Sequence, residues 1–256
     1  MNLNIELKTA KTQIFRMPIV KLDAIGSTND FLSEMIASQP VENYTVVTAT
    51  SQMKGRGQQG ANWYSEPGKN LTVSVYIESV FASPDAIFTL NAAVALAVAD
   101  TLATFDLQDV AIKWPNDILS GSSKVSGILI ENTWRSSHVA SIVGIGLNVN
   151  QTDFAGMPSV SSMALLKNRQ FDRDAVLDIL LTNLKAWTLE AENRSEEIWS
   201  AYHKLLFKRD VPAVFESGQG LTMGIVRGVT HDGRLRVEQE DGTEKLFAVR
   251  EVKMRY

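Results

Sequence analysis

The sequence predicts an α+β protein with a main unit over residues 1–208 and a small all-β unit over 209–256. Three observations carry this. Runs rich in β-branched residues, such as 44–50 and 70–77, alternate with runs whose apolar residues recur at helical spacing, such as Phe31, Leu32, Met35 and Ile36. The stretch 86–105 is apolar on nearly every side, as in a helix buried against a sheet. Beyond Lys208-Arg209-Asp210 the pattern changes to short strands separated by Asp232-Gly233 and Asp241-Gly242, pairs that favour tight hairpin turns.

The 256 residues suffice for one medium domain with a small module attached. A net charge of −4 argues against a general nucleic-acid binder while leaving room for a local basic pocket. The chain has no cysteine, which excludes disulfides, thiolate metal sites and a cysteine nucleophile. The N-terminus lacks an apolar signal core, and no run of about 18 apolar residues occurs. A cytoplasmic protein with no membrane partner is expected.

In chain order, residues 19–25 read as a short strand. Ser27 followed by Asp30 makes a capping-box pattern at a helix start, and Pro40 closes that helix. Ser27-Thr28-Asn29 has two readings: a plain N-cap, or three small polar side chains offering donors and acceptors to a neutral polar ligand. After the strand 44–50 comes the loop 52–63, with Gly55, Gly57 and Gly60. These glycines permit positive φ, and successive N–H groups in such a loop can curl around an anion. Arg56 adds a planar donor fork for carboxylate or phosphate, and Trp63 a face able to cover a ring. The loop therefore reads as a cover for a bound anion, or else as a flexible hairpin with an incidental arginine. Its glycines match the dinucleotide-binding spacing, but that motif must run from a strand into a helix. Here the chain runs through Pro67-Gly68 into the strand 70–77, which excludes that reading.

Ser83-Pro84-Asp85 opens the helix over 86–105, with proline in its first turn. Residues 110–119 are a second centre in which proline after Trp114 forces an extended or turning backbone, and after a turn at 120–123 residues 124–131 return as a strand. Folding about Gly121 sets Lys124 beside Leu119 and brings Asp117 within about two residues of register on the neighbouring strand. Lys124 and Asp117 make either an ordinary cross-strand salt bridge or a functional pair, since charges at the end of a buried sheet are costly unless paired or used. Gly127 allows close approach of a ligand or another backbone. In the strand 139–150 two glycines leave room on one face, and Asn148 at its end either reads a base edge or caps the next loop. Helices follow within 171–193 and over 196–207, with Trp187 and Trp199 as core residues. The all-β segment after residue 210 is too short for much core of its own and is expected to pack on the main unit.

Taken together, Ser27-Thr28-Asn29, Gln52 with Gly55-Arg56-Gly57, Trp63, Lys113-Trp114-Pro115-Asn116-Asp117, Lys124 with Gly127-Ile128-Leu129, and Gly144-Ile145-Gly146-Leu147-Asn148 resemble the biotin–protein ligase family over almost the whole chain. The resemblance implies a mixed sheet flanked by helices, like class II aminoacyl-tRNA synthetases, with an SH3-like C-terminal β-barrel. It implies activation of biotin by ATP to biotinyl-5'-AMP and transfer to a lysine of a carboxyl-carrier protein or domain of a biotin-dependent carboxylase such as acetyl-CoA carboxylase. Within that likeness Ser27, Thr28, Asn29 and Gln52 hold biotin's ureido end, with Arg56, Gly57, Gln58 and Gly127 around the bound biotin. Lys124 bridges the carboxylate and the α-phosphate, and Arg56 and Asp117 complete the catalytic set. Trp63, Lys113, Asn116 and Asn148 face ATP, Asn148 as adenine reader, while Asn116 and Asp117 share the metal–phosphate end or orient the acceptor amine. Mg²⁺ is implied by the ATP chemistry, without a dedicated protein cage.

The chain departs from the family at Gln58 and near Ala61, where many relatives carry basic residues. Some relatives carry an N-terminal helix-turn-helix; the roughly 18 residues before the first strand are too few for one, so the monofunctional form with no DNA partner is expected, as monomer or homodimer. A lipoate or octanoate ligase of the same architecture, and a catalytically silent binding protein, are the alternatives.

Overall fold

In the computed structural model, which describes residues 17–79, 87–135, 138–154, 156–189, 191–218 and 220–255, seven strands form one mixed sheet. They are β1 (Ile19–Ile25), β2 (Val46–Gln52), β3 (Leu71–Ser79), β4 (Val110–Lys113), β5 (Asp117–Ser120), β6 (Ser123–Trp134) and β7 (Val139–Leu147). The order is β1-β2-β3-β7-β6-β5-β4, with β1 parallel to β2 and every other pair antiparallel.

Alternation along the strands sorts side chains onto two faces. Val73, Val75 and Ile77 of β3 and Val143, Ile145 and Leu147 of β7 join the large core cluster. That face is covered by α2 (Phe88–Thr104), backed by α4 (Arg173–Thr188) and α5 (Ser195–Leu205). Helix α2 is buried along nearly its whole length, and its alanines 92, 93, 95, 97 and 99 leave little side chain to hold it away from its neighbours. The opposite face carries α1 (Thr28–Ser38), whose Leu32 is fully buried against Val47, Tyr76 and Ala140. Truncating Leu32 to alanine removes about 2–5 kcal/mol at such a site. On this face the register lines up Ser74 with Gly144 and Leu129, and Thr72 with Gly146 and Gly127. Small residues at those crossings leave a hollow floor beside α1.

The C-terminal strands are β8 (Pro212–Ser217), β9 (Gly220–Val229), β10 (Leu235–Gln239), β11 (Glu244–Phe247) and β12 (Val252–Arg255). They make a separate antiparallel sheet ordered β11-β10-β9-β8-β12, with Gly233 and Gly242 at positive φ in the two Asp-Gly turns. Its Phe215, Val226, Val237 and Phe247 belong to the same core cluster as the main unit. At the junction His231 stacks on Trp199 at 4.9 Å, and Trp114 Nε1 donates to the Gly233 carbonyl at 2.9 Å.

Several expectations are corrected. Tyr44 has φ 67 and lies outside the strand, which begins at Val46; the Tyr44 hydroxyl instead pairs with Thr188. The capping box is one-sided: Ser27 Oγ accepts from the Asp30 N–H, but the Asp30 carboxylate accepts from Arg56. The Ser83-Pro84-Asp85 helix start lies outside the described residues. A short helix, α3 (Met163–Lys167), capped by Ser162, is additional.

Candidate active site

The hollow face opens into a cavity of ≈ 580 Å³, within the usual range of about 300–1,000 Å³ for small-molecule sites. Every candidate residue named from the sequence lines it except Asn148. Four separate stretches converge there: the start of α1, the end of β2 with the segment after it, the residues from Lys113 to Asp117, and the first half of β6.

At the α1 side, Gln52 Oε1 accepts from the Thr28 N–H at 2.9 Å and from Thr28 Oγ1 at 3.1 Å. Ser74 Oγ lies 2.7 Å from Thr28 Oγ1 and 2.6 Å from Asn29 Oδ1. Asn29 Nδ2 donates to Glu131 Oε2 at 2.7 Å. Ser27, Thr28 and Asn29 are each only 4 % exposed. The polar set is thus one interlinked, oriented network, with Gly144 indispensable to it: a Cβ there would lie 2.5 Å from Asn29 Oδ1.

The glycine-rich segment after β2 is a closed hairpin. The Gly57 N–H donates to the Ala61 carbonyl at 2.7 Å, the Trp63 N–H to Gly55 at 2.9 Å, and Gln58–Gly60 makes a 3₁₀ turn. Arg56 Nη2 lies 2.6 Å from Asp30 and 2.9 Å from Glu131, so its guanidinium points to carboxylates of α1 and β6. The bond to Glu131 is the main reason its already high pKa rises further, with Asp30 adding to it against partial desolvation. The room expected beside Gly127 and Gly146 is taken by the Trp63 indole, into which a Cβ at Gly146 would run. Trp63 Nε1 and Gln58 Oε1 are both buried without a hydrogen-bond partner. A donor and an acceptor so placed are available to a ligand, because a buried polar atom left alone is costly.

At the other side, Lys124 Nζ contacts Asp117 Oδ1 at 2.6 Å and stands 5.6 Å from the centroid of the Trp63 ring. The two charges meet across β5 and β6, whose register shifts by a bulge between Ile118 and Leu119. Lys113 pairs with Asp117 in strand register, and its pKa is pushed down mainly by burial, with the Asp117 charge opposing and Lys124 and Lys253 adding repulsion. Asn116 is a clamp: its Nδ2 donates to the Ile128 carbonyl and its own carbonyl accepts from the Ile128 N–H. Asn148, outside the cavity lining, is 1 % exposed, with Nδ2 bonded to the Ser161 carbonyl and Oδ1 unpartnered.

Sequence reading missed Ser74 and Glu131, both on the cavity face of their strands; a serine between Val73 and Val75, two residues from Thr72, was the available signal. It also missed the C-terminal contribution, in which Glu216–Gly218 and Val249–Met254 close the cavity. No local pattern marks those residues, because only the docking of the second sheet brings them there. Among the described residues no group of three or more His, Asp or Glu side chains could hold a metal ion.

The model of the biotin/lipoate A/B protein ligase family matches residues 22–148, the segment that carries all the candidate residues. A biotin–[acetyl-CoA-carboxylase] ligase of Mycobacterium tuberculosis is 30 % identical over 215 residues, 82 % of this chain and 79 % of that protein. The bifunctional ligase/repressor BirA of Escherichia coli is 28 % identical over 243 residues, 93 % of this chain and 74 % of that protein. The solved biotin protein ligase from Aquifex aeolicus in complex with biotin and ATP shares the fold, with a TM-score of 0.74, 24 % identity, and coverage of 93 % of this chain and 98 % of that one. With its motifs gathered on one cavity and a relative this similar over most of both lengths, the chain belongs to the biotin–protein ligase family.

Proposed function

We propose that this chain is an ATP-dependent biotin–protein ligase that forms biotinyl-5'-AMP and passes biotin to a lysine of a carboxyl-carrier protein or domain. The observation that carries the reading is the Lys124–Asp117 pair at 2.6 Å, set in the cavity that also holds the Thr28–Gln52–Asn29 network. A neutral network of amides and hydroxyls suits an uncharged, doubly hydrogen-bonding ring such as a ureido group. The cations Lys113, Lys124, Arg250 and Lys253 on the same cavity suit the carboxylate and phosphates.

In the first step a carboxylate oxygen of biotin attacks the α-phosphorus of ATP. The new P–O bond forms as the bond to the β-phosphate oxygen breaks, and pyrophosphate leaves with that electron pair. Two anions must approach, so a fixed cation at the meeting point is the main protein contribution. Lys124 takes that role, held in place by Asp117. In the second step a neutral lysine amine attacks the acyl carbon, the bond to the phosphate oxygen breaks, and AMP leaves. Asp117 is placed to take up the amine proton, with Asn116 positioning it through the clamp on Ile128. Trp63 and Gln58 cover the anhydride against water, and the Asn148 Oδ1 suits the adenine amino group. Mg²⁺ enters as part of the MgATP substrate: Asp117 is already ion-paired, so the residues present do not fit a resident metal site, and no step is assigned to one.

On this reading residues 1–208 are the catalytic unit, resembling class II aminoacyl-tRNA synthetases, and 209–256 an SH3-like barrel. No helix among the described residues is long and apolar enough to cross a membrane. The test is a mass spectrum of a biotin carboxyl-carrier domain after incubation with the protein, ATP and either biotin or lipoate. One added biotin is expected; lipoylation alone would make it a lipoate ligase, and an unmodified carrier with no pyrophosphate release would make it a silent binding protein.

A further inference from the structure

We propose that Glu131 is a positioning residue that couples the ligand-recognition network to the covering hairpin, an inference that rests on the ligase reading for its substrate but not for its geometry. A single carboxylate oxygen, Glu131 Oε2, accepts from Asn29 Nδ2 at 2.7 Å and from Arg56 Nη2 at 2.9 Å. The same Arg56 Nη2 donates its other hydrogen to Asp30 Oδ1 at 2.6 Å. Asn29 and Asp30 are consecutive at the start of α1, so four residues close a ring that joins α1, the hairpin and β6.

Stability does not account for the ring. The Arg56, Asp30 and Glu131 side chains are 42 %, 51 % and 38 % exposed, and pairs at such exposure contribute little. What the ring fixes is orientation. The bond to Glu131 sends the Asn29 amide nitrogen away from the cavity network and leaves Oδ1 beside Ser74, as an acceptor with a lone pair to spare. The second bond holds Arg56, and through its bridge to Asn62 the whole turn that presents Gln58 and Trp63. A ligand that bonds Asn29 Oδ1 therefore acts on a residue tied by one oxygen atom to the cover. Binding and closing share that carboxylate.

Glu131→Ala should raise the KM for biotin at least roughly tenfold, with a smaller fall in kcat, because two hydrogen bonds to a charged acceptor are lost from the binding geometry. Glu131→Gln, which keeps an acceptor oxygen without the charge, should fall between that variant and wild type. The double variant Asn29→Ala/Glu131→Ala should lose less biotin affinity than the two single losses combined, because both single variants break the same Asn29–Glu131 bond. A near-wild-type KM in both Glu131 variants, or a double variant whose losses add, overturns the proposal. A second arm needs no ligand. Amide exchange at Gly57, Ala61 and Trp63 should be faster in Glu131→Ala than in wild type, with the thermal midpoint little changed. Equal exchange overturns the coupling whatever the substrate is, whereas failure of the ligase reading shows separately, as wild-type protein that leaves the carrier domain unmodified.

Discussion

In the proposed reaction Lys124 is worth more to the chemistry than to the fold. Its 2.6 Å contact with Asp117 is largely buried, with side chains 27 % and 20 % exposed, and the cost of desolvating the two charges offsets much of their attraction. Placed between a carboxylate and a phosphate, the same charge acts on the transition state. Lys124→Ala should slow adenylate formation at least ~100-fold, with pyrophosphate release as the measurement; a rate within threefold of wild type would make Lys124 a mere partner for Asp117. The pairing itself was legible, because a turn at Gly121 dictates which residues of β5 and β6 face each other, even though the bulge at Leu119 was not. Gln58 poses the opposite case. Its side chain lines the cavity with a buried, unpartnered Oε1. Gln58→Arg replaces a neutral contact with a charge-assisted one, a difference on the order of 1 kcal/mol. Adenylate release should slow roughly tenfold, with little change in its formation, since the proposed bridging charge is that of Lys124. Stopped-flow tryptophan fluorescence measures both, and unchanged or faster release would place Gln58 away from the phosphate.

At the scale of elements, the strand pattern exposed the site before any side chain was placed. The glycines at 127, 144 and 146 marked one face of β6 and β7, and the small polar run at Ser27-Thr28-Asn29 marked the start of α1. Occupancy of that space was not legible. Nothing local to Gly146 says that Trp63, some eighty positions earlier, will lie on it; the contact follows from the hairpin folding back over the sheet. Likewise Arg56 in its glycine-rich loop is expected beside a bound anion, and nothing local says that Asp30 and Glu131 of the chain itself pair with it. The hairpin is held by its own backbone bonds and the Arg56 pairs, and ligand contacts would add to these against the entropy of ordering it. Hydrogen exchange over residues 53–62 should slow markedly on adding biotin and ATP. Equal rates with and without them would mean that the hairpin is a fixed wall rather than a closing cover.

For the whole molecule the decisive fact is that the two sheets share one core and one cavity. Glu216–Gly218 and Val249–Met254 complete the site only because the C-terminal sheet is docked, and docking runs through α5 and the turn at Gly233. Sequence patterning predicted a dependent β module but could not say where it would sit, since the contacts join residues separated by a large part of the chain. His203 lies at that joint. Its ring contacts Trp199 and Tyr202, and its Nε2 lies 3.0 Å from the Val229 nitrogen and 3.1 Å from the Val229 carbonyl oxygen. Burial depresses its pKa, outweighing the bond to Val229, while Arg209, Arg236 and His231 push it the same way as burial. The folded state thus favours the neutral ring. Between the depressed folded value and the unfolded value of about 6.5, the unfolded chain binds more protons. The stabilisation is therefore complete above pH ~6.5 and is lost as pH falls toward the folded value. Thermal midpoints should drop from pH 7.5 to 5.5 in the wild-type protein and drop less in His203→Gln, which keeps a hydrogen-bonding side chain but cannot titrate. Parallel curves for the two proteins would show that the joint does not sense this proton.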